Sequence, residues 1–184
     1  VVIPANATPA TITINPPVDG SLEPDETVTL IVAAGTGYTV GAPSNAVGTI
    51  LNDDVPAATI SVSPASVAED GAPNLVYTVT FDQAPNNPVS VGYTVGGTAS
   101  SGTDFAAVTS PLIINTGQTT GTITINPTAD ATIESDETVS ITLNAVAGYT
   151  VVLPNNAVGT LLNDDLHNLT INDISLNEGN AGTV

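Results

Sequence analysis

The sequence predicts an all-β protein made of immunoglobulin-like, antiparallel β-sandwich repeats. Three observations point there. Apolar residues alternate with polar ones in short β-branched runs, clusters of turn residues separate those runs, and long stretches recur at one fixed spacing. "EPDETVTL" (Glu23–Leu30) returns as "ESDETVSI" (Glu134–Ile141), "GYTV" (Gly37–Val40) as Gly148–Val151, and "NAVGTILNDD" (Asn45–Asp54) as "NAVGTLLNDD" (Asn156–Asp165). Glu26 and Glu137, like Asp54 and Asp165, lie 111 residues apart. That period is too long for a solenoid of small repeats and suits sandwiches of about 100 residues.

In order along one whole period, the predicted strands are "TISVS", "LVYTVTF", "VSVGYTV", "PLIIN", "GTITINP", "TVSITLNAV" and "AVGTLLN". The intervening turns are "EDGAPN", "DQAPNNP", "GGTASSGTD", "NTGQ", "DATIESDE" and "LPNN". No run has the apolar spacing of a helix. A weaker match links "ISVSPASVAEDG" (Ile60–Gly71) to "LTINDISLNEGN" (Leu169–Asn180). The division expected is the closing part of one unit in 1–55, a complete unit in 56–166, and in 167–184 an opening strand of a further unit or a strand for donation.

Composition narrows the function. The 184 residues contain 18 acids and no Lys or Arg, for a formal charge of −18. Nucleic acid and anionic membrane surfaces require a basic patch, so both are excluded as expected partners. No apolar stretch suits membrane insertion. Aromatic residues are 3% of the chain, which leaves no platform for sugar binding and makes the core aliphatic. With no Cys, no Lys and the single histidine His167, the usual nucleophile–base pairs are missing, and a non-enzymatic role is expected. His167 reads as a solvated linker residue. Tyr38 and Tyr149, in equivalent "GYTV" runs, read as core or sandwich-corner residues.

The acids gather in turns: Glu69 and Asp70, Asp104, Asp130, then Glu134, Asp136 and Glu137, then Asp164 and Asp165. One such residue is explained by local turn capping. The set recurs, however, as Asp19, Glu23, Asp25 and Glu26 with Asn52, Asp53 and Asp54. Alternating strand directions bring several of these turns to one end of a sandwich. Converging carboxylates with no basic partner call for a hard cation, and calcium takes six to eight oxygen ligands.

Four pieces in order, "VAEDG", "SGTDF" (Ser101–Phe105), "ESDE" and the closing "GTLLNDD", resemble the Calx-beta domain family. The resemblance implies an immunoglobulin-like sandwich of two antiparallel sheets with calcium at one tip, beside the junction with the next domain. It maps the first-strand acid onto Glu69, and onto Glu178 near the C-terminal end. It maps the loop acid onto Asp104, the acidic-turn residues onto Asp130, Glu134 and Glu137, and the terminal triplet onto Asn163, Asp164 and Asp165. The corresponding residues in 1–55 are Asp19, Glu23, Glu26, Asn52, Asp53 and Asp54. Two departures lower the local charge. Ala129 precedes Asp130 and Val18 precedes Asp19, where paired acids occur in strong calcium binders, and Asn163 and Asn52 open the terminal triplets. One or two calcium ions per complete repeat are therefore expected.

Repetition of one acidic corner favours a mechanical role over a reaction centre. The expected protein is a calcium-stiffened structural repeat of an extracellular bacterial fibre, surface filament or adhesin stalk. Its partners are copies of itself or adjacent repeats, in some versions joined by strand complementation. Surface Thr and Ser would suit attached glycans. The alternative is a calcium-sensing regulatory module of a larger protein. The chain is either a subunit of a polymer or a window on a longer repeat protein, and both readings stand at this point.

Overall fold

A computed structural model describes residues 2–3, 9–70 and 72–176. Twelve strands and no helices occur among the described residues. β1 (Glu26–Ile31) and β2 (Asn45–Ile50) form a two-stranded hairpin. The remaining strands are β3 (Ala57–Ser63), β4 (Ser66–Ala68), β5 (Leu75–Phe81), β6 (Val89–Val91), β7 (Tyr93–Gly97), β8 (Leu112–Ile114), β9 (Thr120–Ile125), β10 (Glu137–Leu143), β11 (Thr150–Val151) and β12 (Asn156–Leu162). They build one sheet in the order β4-β12-β10-β7, a second in the order β11-β3-β5-β9, and the small pair β6-β8. The two larger sheets enclose an aliphatic core that includes Ile60, Leu75, Val79, Ile125, Val139 and Ile141.

The predicted alternation is visible in the burial of each strand. In β5 every second residue, from Leu75 to Phe81, is buried, and β10 buries Val139, Ile141 and Leu143. Gly159 sits opposite Val139 in β12, where Leu75 and Tyr77 press against its backbone. The Tyr77 hydroxyl donates to the Val139 carbonyl (2.6 Å) and accepts from the Gly159 N–H (3.1 Å), joining the two sheets through the core.

Two strand predictions need revision. "VSVGYTV" is two strands, β6 and β7, divided at Gly92. The sandwich is also not purely antiparallel, because β4 pairs parallel with β12 and β11 pairs parallel with β3. The first predicted strand runs out at Ser63. Pro64, which has no N–H to give a ladder, interrupts it, and the chain resumes as β4 in the opposite sheet.

The hairpin β1–β2 copies β10–β12 residue for residue. Glu26 faces Ile50 as Glu137 faces Leu161, and Val28 faces Gly48 as Val139 faces Gly159. Tyr149 is 4% exposed and donates its hydroxyl to the carbonyl of Asn144, while Tyr38 makes the equivalent bond to Ala33 at 53% exposure. Both are corner residues, as expected, but only Tyr149 belongs to a core, where it packs against Phe81.

The hairpin meets the sandwich at a polar contact. Gln83 accepts from Leu22 N–H (3.2 Å) and donates to Gly20 carbonyl (3.2 Å), and Asn86 donates to Glu23 carbonyl (2.9 Å). No helix among the described residues is long and apolar enough to cross a membrane.

Candidate metal centre

Six acids of the sandwich form two groups of three, each with its carboxylate oxygens within 4.8 Å of one another: Glu69, Asp130 and Asp165, and Asp104, Glu134 and Glu137. Each group draws on separate stretches of chain. Glu69 follows β4, and its N–H bonds to the Leu162 carbonyl (3.1 Å), which ties it to the end of β12. Asp130 heads a turn in which its carboxylate accepts the Thr132 N–H (2.6 Å). Asp165 stands three residues beyond β12.

In the second group, Asp104 is fixed by its own loop. Its carboxylate accepts the Ser100 N–H, its N–H bonds to the Ser100 carbonyl (3.0 Å), and its carbonyl accepts from Thr128 (2.9 Å). The neighbouring Phe105 is buried and bridges to Pro127, so the loop is anchored in the core. Glu137 opens β10, and Glu134 lies in the acidic turn before it. A cavity of about 10 Å³, lined by Glu69, Asp104, Glu134, Ser135, Glu137 and Leu161, lies where the groups adjoin. That is room for about one water-sized atom.

The electrostatics are those of crowded like charges. Burial raises the Glu69 carboxyl above its ordinary 4.5, and the charges of Asp130, Asp165, Glu134 and Asp164 raise it further. Glu69 is 8% exposed, the one buried polar or charged residue among those described. Glu137 is raised by burial, then by a hydrogen bond to Asp104 and the charges around it. Asp130 goes the other way, because the Thr132 backbone and side chain donate to it. Most telling is Asp165, whose Oδ2 is buried and has no hydrogen-bond partner. A buried carboxylate oxygen without a donor costs free energy that a bound cation would recover. The donor set is all oxygen, with no sulfur and no imidazole. Three carboxylates can present up to six oxygens, which fits a hard cation of calcium type.

The other residues singled out in the sequence fall elsewhere. Asp164 is exposed, belongs to neither group, and acts on Glu69 only through its charge. Asn163 works as a clamp. Its Oδ1 accepts the Glu134 N–H (3.0 Å), its Nδ2 donates to the Asp165 carbonyl (3.2 Å), and its own N–H is held by Asp136 (3.1 Å). Asp136 is thus a positioning residue that the metal-ligand pattern does not single out, although the repeated "DET" after Ser135 and Pro24 was a signal for it. His167 is exposed. Glu178 lies outside the described residues.

In the hairpin, Asn52 repeats the clamp on Glu23 (3.1 Å), Asp54 (2.9 Å) and Asp25 (3.0 Å), and Asp19 repeats the turn of Asp130 by accepting from Ser21 (2.8 Å). Yet Asp19, Glu23, Glu26, Asp53 and Asp54 form no three-acid group among the described residues. Each group in the sandwich takes one member, Glu69 or Asp104, from a segment that has no counterpart in residues 1–55.

The family model for the Calx-beta domain matches residues 51–165. The chain belongs to the Calx-beta family. The matched span holds the whole sandwich and both acid groups, and begins at Leu51, just before the Asn-Asp-Asp that follows the hairpin. Among solved structures, this Calx-beta chain is similar to CBD12 from CALX1.2, with 27% identity and a TM-score of 0.49 over 58% of this chain and 46% of that one. It is similar to the apo-form Calx CBD1 domain, with 27% identity and a TM-score of 0.47 over 59% of this chain and 98% of that one. A third is the calcium binding domain CBD12 of CALX1.1, with 27% identity and a TM-score of 0.49 over 58% of this chain and 44% of that one. The chain thus spans less than half the length of either CBD12 structure. No curated protein matches it.

Proposed function

We propose that the complete Calx-beta unit binds calcium, one ion in each acid group, and that the metal stiffens a structural repeat protein outside the cell. The observation that carries this is the buried, unpartnered Asp165 Oδ2 beside Glu69 and Asp130, in a chain with no Lys or Arg to neutralise it. An ion there would tie the end of β12 to β4 and to the β9–β10 turn. The second ion would tie the Asp104 loop to the start of β10. Chain segments that repel one another without metal would then move as one body.

The location supports stiffening. The corresponding turn of the hairpin, Gly20–Glu23, is the segment gripped by Gln83 and Asn86, so the acidic end of one unit rests on the next. The role proposed is a bacterial extracellular fibre, surface filament or adhesin stalk without catalytic activity. Its neighbours would be copies or adjacent units of the same kind, with glycans on outward Thr and Ser. The same junction favours a second reading, a calcium-sensing module, in which metal changes the angle between units. X-ray scattering across a calcium titration separates the two: unchanged dimensions support stiffening alone, and a shift in overall length supports sensing.

Calorimetric titration tests calcium binding itself. Heat should saturate at two ions per chain, and the melting temperature should rise with calcium. Asp165→Asn should weaken the site it serves by at least about tenfold, since even altering an outer-shell partner of a ligand costs about 10- to 100-fold. Absence of both heat and a melting shift in the unmodified chain would overturn the reading.

A further inference from the structure

We infer that the loop Asp82–Pro88, at the end of the sandwich opposite the acid groups, is a recognition surface for the acidic turn of a neighbouring repeat, and that Gln83 is its specificity-determining residue. This rests on the structural role proposed above and names the surface through which repeats stack.

The turn being read is closed by its own side chains. Asp19 accepts the Ser21 N–H (2.8 Å) and Asn52 accepts the Glu23 N–H (3.1 Å). Asp130 and Asn163 close the turn before β10 in the same way, on Thr132 and Glu134. Closure leaves the Leu22 N–H and the carbonyls of Gly20 and Glu23 for another partner. The sandwich takes all three. Gln83 accepts from Leu22 and donates to Gly20 (3.2 Å each), and Asn86 donates to Glu23 (2.9 Å). Meeting a donor and an acceptor of one turn at once needs a side chain that carries both, which a primary amide does.

The loop is held in place for this. Asp82 accepts the Ala57 N–H on its carboxylate (2.7 Å) and returns its own N–H to the Ala57 carbonyl (3.1 Å). The Pro85 carbonyl accepts the Gly117 N–H (3.1 Å). Ala57 opens β3 directly after Val55 and Pro56, so the loop is fastened where the chain enters the sandwich.

Charge sets the specificity. The six grouped acids gather at one tip, whereas the loop at the other end reads Asp-Gln-Ala-Pro-Asn-Asn-Pro, and its one carboxylate is spent on Ala57. The repeat therefore has an acid-rich end and an amide-rich end. A cleft of about 660 Å³ along the joint is lined by Glu23, Asp25 and Asp54 on one side and by Asn86, Asn87 and Ser90 on the other. In a chain with no Lys or Arg, neutral amides that bond to backbone can grip an acidic turn without repelling it. Tip against tip would bring like charges together, so this polarity selects head-to-tail stacking.

Two variants of the 184-residue chain test this. Gln83→Ala removes both bonds. Gln83→Glu keeps an acceptor, loses the donor and adds a negative charge beside the acidic turn. Amide hydrogen exchange by NMR in excess calcium reads the joint at Leu22, with Ser21 and Glu23 as internal controls. In Gln83→Ala, exchange at Leu22 should speed up about tenfold, as for one lost hydrogen bond, whatever the salt. In Gln83→Glu it should speed up at least as much at about 0.1 M salt and fall back toward the unmodified rate at about 1 M, where charges are screened beyond about 3 Å. Ser21 and Glu23 should exchange alike in all three chains. Unchanged exchange at Leu22 in Gln83→Ala, or a Gln83→Glu chain indifferent to salt, overturns the proposal. Equal acceleration at all three amides also overturns it, because Gln83 would then support the shape of the turn and not its docking. Calorimetric calcium titration of the same chains keeps the two readings apart. Calcium binding should be equal in all three, and its absence from all of them would sink the calcium reading while leaving the joint standing.

Discussion

Two glycines at the same register test how far one residue's identity depends on its surroundings. A Cβ built on Gly159 would come within 2.7 Å of Leu75 Cδ1 and 2.9 Å of the Tyr77 hydroxyl, whereas one on Gly48 meets nothing within 4 Å. Gly159 lets the β5 side chains reach the β12 backbone, and its N–H is spent on Tyr77. Gly159→Ala should therefore overpack the core and cost about 1–3 kcal/mol of stability. Gly48→Ala should leave the melting curve of the sandwich where it was. Chemical denaturation of the two variants side by side checks this, and equal effects would show that the Tyr77 contact does not constrain position 159. The sequence held the repeat of the two glycines. What it could not show is the tyrosine that makes one of them necessary, because Tyr77 and Gly159 are far apart in the chain and meet only across two sheets.

At the scale of elements, the acidic turn before β10 is shaped by Asn163 as well as by its own acids. The amide spans two segments, holding the Glu134 backbone on one side and the Asp165 carbonyl on the other. Asn163→Ala removes both bonds and leaves both acid groups with all their carboxylates. It should lower calcium affinity about tenfold, the equivalent of about 1.4 kcal/mol, with the stoichiometry unchanged. A calorimetric titration showing unchanged affinity would mean that the turn holds its shape without the clamp. The strands themselves were largely legible, because period-two alternation is a direct imprint of one buried face. β4 and β11, of three and two residues, are too short to leave such an imprint. Context also overrides local pattern. "TITINP" at Thr122–Pro127 carries the end of β9, paired with β5, but the identical "TITINP" at Thr11–Pro16 forms no strand, since residues 1–55 contain no counterpart of β5. At the acidic tip the clustering of acids was legible and their partition into two groups was not. One converging cage was the simplest reading, and the division into two groups follows from how the end of β4 and the Asp104 loop after β7 reach the tip from opposite edges of one sheet.

At the scale of the molecule, charge makes stability, pH and calcium one problem. The chain carries a formal charge of −18 with no basic side chain except His167 to offset it. Glu69 and Glu137 have folded-state pKa values raised above the ordinary 4.5. A raised carboxyl favours the neutral form in the folded state, so its contribution is fully present below pH 4.5 and is lost as pH rises through the folded value. Asp130 is lowered from 3.8, so its contribution is present above 3.8 and is lost as pH falls through its folded value. With metal removed by a chelator, stability should peak near pH 4 and decline toward neutrality as Glu69 and Glu137 are forced to ionise beside their neighbours. Bound calcium would reverse the order. It would require the ionised carboxylates, compete with protons at Glu69 and Glu137, and offset the repulsion among all six acids. The gain in melting temperature on adding calcium should therefore be small at pH 4 and grow through pH 5.5 to pH 7, with protons released on binding at intermediate pH. Differential scanning calorimetry at those three pH values, with chelator and with excess calcium, supplies the comparison. A metal-free melting temperature that rises steadily from pH 4 to pH 7 would show that the crowded carboxylates are already neutralised by something other than protons or calcium.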